Sequence, residues 1–357
     1  MPIITDLLVD QYGAFVSKHQ GRLRVTQKEQ MLAEAPIMHL QRLVITGRGV
    51  SLSSDVIAAC CQEGIPIHFL DSRGQPYAGL YSAGLTGTVL SRREQLAAYL
   101  DERGLEVGRA LAHAKIGNQA ALLRYIAKYR KEADPDLYEA LRAAAERVLG
   151  HQEELPRLEA MCAAKASPLL EEPAKPVPID AVREFVLSIE GRAAHYYWQA
   201  LERVLPEEYG WPGRAGRDAQ DPINAALNYG YGILYSQVER AILLAGLDPY
   251  AGYIHADRPG KPSLVYDLIE PFRAPVVDRT VVAMANRHMP LQMDDHHRLD
   301  EESRRGVADQ VIQRLEKPEA YEGKRVPLRI IVQEEARRLT TYLRGERGAY
   351  EAFVVRW

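Results

Sequence analysis

Residues 252–273 read G-Y-I-H-A-D-R-P-G-K-P-S-L-V-Y-D-L-I-E-P-F-R. Pro259, Gly260 and Pro262 break any regular element, so His255 falls on a turn-rich segment. Ser263 then reads as the N-cap of a short helix over 264–270. On that helix Asp267 and Glu270 are three residues apart and share a face. A histidine beside a two-carboxylate face is the mixed N/O donor set that a divalent cation takes. The set is still short of a ligand.

Upstream, Asp180 is expected to cap a long helix whose apolar stripe is Val182, Phe185, Val186, Ile189, Ala193 and Tyr197. Glu190 sits at the margin of that stripe, before Gly191. Alone it reads as a structural carboxylate paired with a base such as Arg192. It becomes a candidate ligand because the 252–273 cluster lacks one. Residues 206–221 form a Gly/Pro-rich loop with Trp211, Arg214 and Arg217. Asp221-Pro222 opens the next helix, with a capping carboxylate and then proline at the first helical position. That helix carries Asn224, Asn228, Tyr229 and Tyr231 in its early turns and closes at Gly246. Beyond Arg273, helices are expected over 276–288, 300–317 and 328–343. His296 and His297 lie in an acidic turn, where adjacent histidines rarely ligate a metal together.

The chain before this is of two kinds. Up to about residue 85, short runs such as Leu7-Leu8-Val9, Ala14-Phe15-Val16, Leu23-Arg24-Val25 and Leu43-Val44-Ile45 predict strands and hairpins. A helix capped by Ser53 or Ser54 ends at Gly64, and strands follow over 65–70 and 77–81. His68 reads as a core or interface histidine. From Ser91 the apolar period lengthens to that of helices, with Arg92, Arg93, Lys115, Arg124, Lys128 and Arg130 strewn along them. Each reads as a solvated position, and together they suggest a track for a phosphate backbone. The four prolines of 165–180 forbid a continuous helix and predict a surface loop within one helical domain.

The 357 residues suffice for two domains, and 46% hydrophobic content supports a sizeable core. No apolar run approaches a membrane span, and the start Met1-Pro2-Ile3-Ile4 does not open a secretory signal. Three cysteines without a C-x-x-C, two of them adjacent at Cys60 and Cys61, point to reduced thiols in a cytoplasmic protein. There is no P-loop, dinucleotide fingerprint or G-x-S-x-G. The net charge is −3, so a nucleic-acid partner would have to meet local positive charge.

The ordered motifs resemble those of a known family. Residues 252–255 and 260–273 resemble the signature of the CRISPR-associated spacer-acquisition integrase, the first, near-universal CRISPR-associated protein, also described as a metal-dependent DNA endonuclease. Residues 10–14 and 44–53 resemble its N-terminal domain, 188–191 the helix with its acidic ligand, and 221–224 and 227–231 the helix before its histidine. The resemblance implies an α+β fold: a small β-rich N-terminal domain, 1–88, that dimerises, then a larger all-α catalytic domain, 89–357. It implies Glu190, His255 and Glu270 as ligands of Mg²⁺ or Mn²⁺, with Asp267 as a further catalytic carboxylate.

The implied reaction is attack of a DNA 3′-hydroxyl on a phosphodiester of the CRISPR repeat, or hydrolysis when water replaces the hydroxyl. His255 serves as a ligand or assists proton transfer. Double-stranded DNA, protospacer and repeat, is the implied partner, held by Arg258, Lys261, Arg273 and Arg279 near the metal and by Arg214 and Arg217 in the loop. Tyr229, Tyr231 and Trp211 are candidates to stack on unpaired bases, with helix packing the equal alternative for Tyr231. The family also implies a homodimer and a small ferredoxin-like CRISPR-associated partner. Two rival readings are a catalytically silent DNA-binding scaffold of the same fold and a metal-dependent hydrolase of small phosphoesters.

Overall fold

The computed structural model describes residues 5–28, 30–81, 89–158, 177–216 and 219–357. Alternation of apolar and polar side chains builds the first part. Its strands are β1 (Asp6–Val9), β2 (Phe15–His19), β3 (Arg22–Gln27), β4 (Gln30–Pro36), β5 (Arg42–Ile45), β6 (Ser51–Leu52), β7 (Ile67–Leu70) and β8 (Pro76–Leu80). They form two four-stranded sheets, in the orders β1-β5-β7-β8 and β4-β3-β2-β6. In the first sheet β1, β5 and β7 are parallel, and β8 closes the edge antiparallel to β7. All four residues of β5 are buried, as a central parallel strand requires. β4 and β6 go beyond the expected strands. β4 leaves Met31 and Leu32 exposed, so its ladder to β3 defines it rather than a buried face.

Helix α1 (Ser54–Gln62) links β6 to β7, and the Ser53 hydroxyl caps it by accepting the Val56 N–H at 3.3 Å. Burial pushes the Cys60 thiol up to about 11, which suits an inert core residue. The helical region then runs through α2 (Val89–Ala98), α3 (Glu102–Lys128), α4 (Pro135–Gly150), α5 (Ile179–Glu202), α6 (Pro222–Leu244), α7 (Ser263–Phe272), α8 (Arg279–Asn286) and α9 (Glu301–Glu316). A two-stranded hairpin, β9 (Pro318–Tyr321) with β10 (Lys324–Pro327), interrupts it before α10 (Leu328–Leu343). The fold is thus the expected α+β arrangement, strand-rich first and mostly helical after, with the β9–β10 hairpin correcting the expected all-α character of the second part. Among the described residues no helix is long and apolar enough to cross a membrane. The proline-rich stretch lies outside the described residues up to position 176, as does Cys162.

Two expected caps are corrected. Asp180 is inside the first turn of α5, where it receives the Tyr99 hydroxyl and pairs with Arg183. Ser263 is the first residue of α7, and its hydroxyl accepts the Gly252 N–H and donates to the Tyr250 carbonyl. Nor does the helix end at the expected Glu270: α7 runs to Phe272, and a π-helical stretch, Arg273–Asp278, carries the chain into α8. Pro275 has no N–H to give the Pro271 carbonyl. Asn118 of α3 supplies the missing donor, with its Nδ2 2.6 Å from that oxygen.

The strand-rich and helical parts are joined tightly. Arg42 of β5 is fully buried, pairs with Asp6, and donates to the Ile233 carbonyl at 2.9 Å and to Ser236 Oγ at 2.7 Å on α6. Burial works against ionisation of His68, whose Nδ1 lies 3.2 Å from Glu239 of α6, a partner distant in sequence. Gly74, in the turn between β7 and β8, lies against α6: a Cβ on Gly232 would come within 1.7 Å of its carbonyl oxygen.

Candidate functional site

Four elements meet around two buried carboxylates. Glu190 comes from α5, Glu270 from α7, Lys115 from α3 and His255 from the irregular segment before α7. Glu190 and Glu270 are each 4% exposed, which only a counter-charge makes tolerable. Lys115 provides it, with Nζ 2.9 Å from an oxygen of each. Arg273 adds a second contact to Glu270, at 3.2 Å.

Burial disfavours the carboxylate form of both acids. For Glu270 the charges of Arg273 and Lys115 outweigh it and bring the group down to about 2. For Glu190 burial, reinforced by the like charge of Glu270, outweighs Lys115 and the weaker pull of His255, so its carboxyl is raised. Burial works against the Lys115 ammonium too, but the two glutamates hold its pKa above the ordinary value.

Asp267 has a different place. It is fully buried and receives the backbone N–H groups of Tyr253, Ile254 and His255 at 2.5 to 3.0 Å. The His255 ring meets it through Nδ1 at 2.7 Å. Its oxygens are therefore consumed by the loop, and Nε2 of His255 is the ring nitrogen left for another partner. Burial lowers the His255 pKa, yet Asp267 overrides this and raises it. Gly252 makes the approach possible, since a Cβ there would lie 2.8 Å from Asp267 Oδ2.

A wall of stacked cations borders the cluster. The guanidinium of Arg273 lies 4.8 Å from the Tyr231 ring centroid and that of Arg214 5.4 Å from it. The Tyr231 hydroxyl donates to Asp278, as does that of Tyr197 at 2.6 Å. Arg214 is also held by Asn224 at 3.0 Å and Asn228 at 2.8 Å.

The structure thus brings together Glu190, His255, Asp267, Glu270 and Arg273, with Arg214 beside them. Arg258 and Lys261 pair across a tight turn and line a shallow groove with Asp257. Three expectations are corrected. Tyr229 is 1% exposed and its ring belongs to the core, so it offers no face to a base. Trp211 is buried likewise, against Trp198. Arg279 leaves the cluster and lies over Tyr125 and Trp357 at 4.2 and 4.7 Å. Tyr231 is buried under its two arginines, the packing alternative. Arg217 lies outside the described residues. Lys115, Asn118 and Asp278 join the site without having been singled out for it. The signal for Lys115 is a cation inside the apolar run between Leu111 and Leu123.

Among the described residues no three His, Cys, Asp or Glu side chains stand together as a ready metal cage. The donor chemistry still fits a divalent ion. Glu190 Oε1 and Glu270 Oε2 are buried without a hydrogen bond, although Lys115 lies within ion-pair distance of the latter. Among the described residues His255 Nε2 has no hydrogen bond, and the charge of that ring is felt at both carboxylates.

Against this geometry stands a match between residues 7–313 and the family model described as CRISPR associated protein Cas1. The chain belongs to the Cas1 family. A relative named CRISPR-associated endonuclease Cas1 1, from Archaeoglobus fulgidus, is 36% identical over 98% of this chain and 99% of its own length. The Cas1 fold recurs in a casposase bound to its integration product, with a TM-score of 0.77 at 22% identity over 98% of this chain and 93% of that one. It recurs in a Cas6-RT-Cas1–Cas2 complex, with a TM-score of 0.75 at 19% identity over 99% of this chain and 37% of that one.

Proposed function

We propose that this Cas1-family protein is a divalent-metal-dependent DNA endonuclease and strand transferase of CRISPR adaptation. The carrying observation is the division of labour between carboxylates. Asp267 is spent on orienting His255, while Glu190 and Glu270 turn toward each other across Lys115. Glu190, Glu270 and His255 Nε2 would hold Mg²⁺ or Mn²⁺, hard or borderline ions suited to two carboxylates and one imidazole. When bound, the ion polarises a phosphoryl oxygen and offsets the charge that develops on it.

The chain's own residues do the rest. Asp267 fixes the ring, so His255 presents one nitrogen in one orientation. Arg273, held over Tyr231, offers a cation beside the carboxylates for a neighbouring phosphate, and Arg214, Arg258 and Lys261 extend the track. The 3′-hydroxyl of the incoming strand bonds to phosphorus, and the P–O3′ bond of the target breaks, leaving a new 3′-hydroxyl. One phosphodiester replaces another, so no covalent enzyme intermediate is needed.

The names of its relatives support this reading, being endonucleases, a casposase with an integration product and a Cas1–Cas2 assembly. Residues 1–88 are proposed as the dimerisation domain and 89–357 as the catalytic one. Exposed Tyr12, Phe15, Met31, Leu32 and Met38 give the former an apolar surface for a second copy. A small ferredoxin-like partner and a cytoplasmic site of action complete the proposal. The test is His255→Ala, assayed for transfer of a protospacer into a repeat-containing plasmid with Mn²⁺ or Mg²⁺. The variant is expected to fold, dimerise and lose transfer by at least ~100-fold, the scale of removing one group from a preorganised site. Retained transfer by the folded variant would sink the assignment.

A further inference from the structure

A second concentration of charge lies on another side of the π-helical run. Asp278 faces Tyr231 and Tyr197, but the next residue, Arg279, faces a cavity of about 530 Å³. Seven basic side chains and one acidic one line it, in a chain whose net charge is −3. The acid, Glu319, is already satisfied by Arg314, by Arg279 at 3.5 Å and by the Trp357 indole N–H at 3.2 Å. Lys128, Arg287, Lys317 and Arg356 have no side-chain hydrogen bond or ion pair among the described residues. These four come from the end of α3, the end of α8, the turn after α9 and the C-terminal segment. All four are exposed, so solvent carries their charge, but their like sign concentrates a positive field at one hollow.

We infer that this cavity takes a few nucleotides of single-stranded DNA, at a site separate from the carboxylate cluster. Cations supplied by four separate elements suit phosphates strung along a strand better than one compact anion. Between them lie Met284, Met289 and the rings of Tyr125 and Trp357, each with Arg279 over one face, while Gln310 and Gln313 offer amide donors. A strand needs both kinds of surface, for sugar and base as well as phosphate. An acidic peptide would use the charges and leave the aromatic lining idle. The choice of DNA rests on the reading proposed above; the surplus of positive charge does not.

The experiment uses the full chain and a 5-iododeoxyuridine hexamer, photocrosslinked and mapped by peptide mass spectrometry. Adducts are expected on peptides holding Met289 or Trp357. The triple variant Arg287→Ala, Lys317→Ala, Arg356→Ala should lose them, while a charge-keeping Arg287→Lys, Lys317→Arg variant keeps them. Removing three phosphate contacts should flatten the slope of log affinity against log salt by about 2, at roughly 0.7 per single-strand phosphate. Adducts confined to the carboxylate site overturn the inference. Displacement of the hexamer by equimolar ATP assigns the cavity to free nucleotides, and displacement by polyglutamate to an acidic protein; either also overturns it. A failed strand-transfer test at His255 would leave these adducts unaffected, so the two readings fail separately.

Discussion

Lys115 shows how much one side chain decides. Its ammonium is the shared counter-charge of Glu190 and Glu270, and both carboxylates are buried. Lys115→Met keeps the stem and removes the charge, leaving two acids facing each other. Breaking a buried pair in this way costs about 3–5 kcal/mol, so the melting temperature should fall. Millimolar Mn²⁺ should restore it, and by more than it stabilises the parent protein, because the ion replaces the lost cation. Equal thermal shifts in parent and variant would speak against a metal between the carboxylates and for the silent-scaffold reading. His255, Asp267 and Glu270 were legible because they fall within sixteen residues of one another along the chain. Lys115 was legible only as one of several helix cations, since its partners lie 75 and 155 positions away.

Among elements, α6 is the one on which the site leans. It carries Tyr231 beneath Arg273 and Arg214, and the strand-rich part holds it through Gly74 and Arg42. The approach at Gly232 leaves no room for a methyl group against a backbone carbonyl. Gly232→Ala should therefore force the β7–β8 turn away and destabilise by about 3 kcal/mol or more, the upper range for overpacking. Gly306→Ala in α9 is the control: its Cβ would meet only Met284 Cε at 3.7 Å. Replacing a helix-interior glycine there should stabilise by about 0.5–1 kcal/mol. Urea midpoints of the two variants check both. The helix start at Asp221-Pro222 was readable from residue types, and Asp221 does accept the Asn224 N–H at 2.8 Å. The burial of Tyr229 was not, because a helix packed on all sides has no polar face to mark which way a ring points.

Across the whole molecule the C-terminal segment ties the elements of the candidate site together. Phe353 donates its N–H to Glu335 at 2.9 Å and gives its carbonyl to Asn118, which also holds the Pro271 carbonyl next to Glu270. Glu335 is 1% exposed, and burial pushes its carboxyl from 4.5 up to about 7, against the pull of Arg338. The sign follows from linkage. Below the ordinary value the group is protonated folded and unfolded alike. Between 4.5 and about 7 the unfolded chain ionises first, so stability is progressively lost, by up to ~3 kcal/mol at full shift. Unfolding by urea from pH 5 to 8 should show this decline, and Glu335→Gln should flatten it. An identical pH profile in the variant would remove Glu335 from the account.

By itself the sequence determined most element types, though not β4, β6 or the β9–β10 hairpin, because the period of apolar residues and the cap and turn residues are local. It also determined the motif order that marks the Cas1 family, and the pairing of a histidine with acids close to it in the chain. Only the tertiary structure decided which carboxylate serves the loop and which faces the cluster. That choice depends on where backbone N–H groups and Lys115 arrive from other elements. It likewise moved Arg279 from the carboxylate cluster to the basic cavity. Adjacent residues on a helix point about 100° apart, and only packing decides which neighbour each one meets.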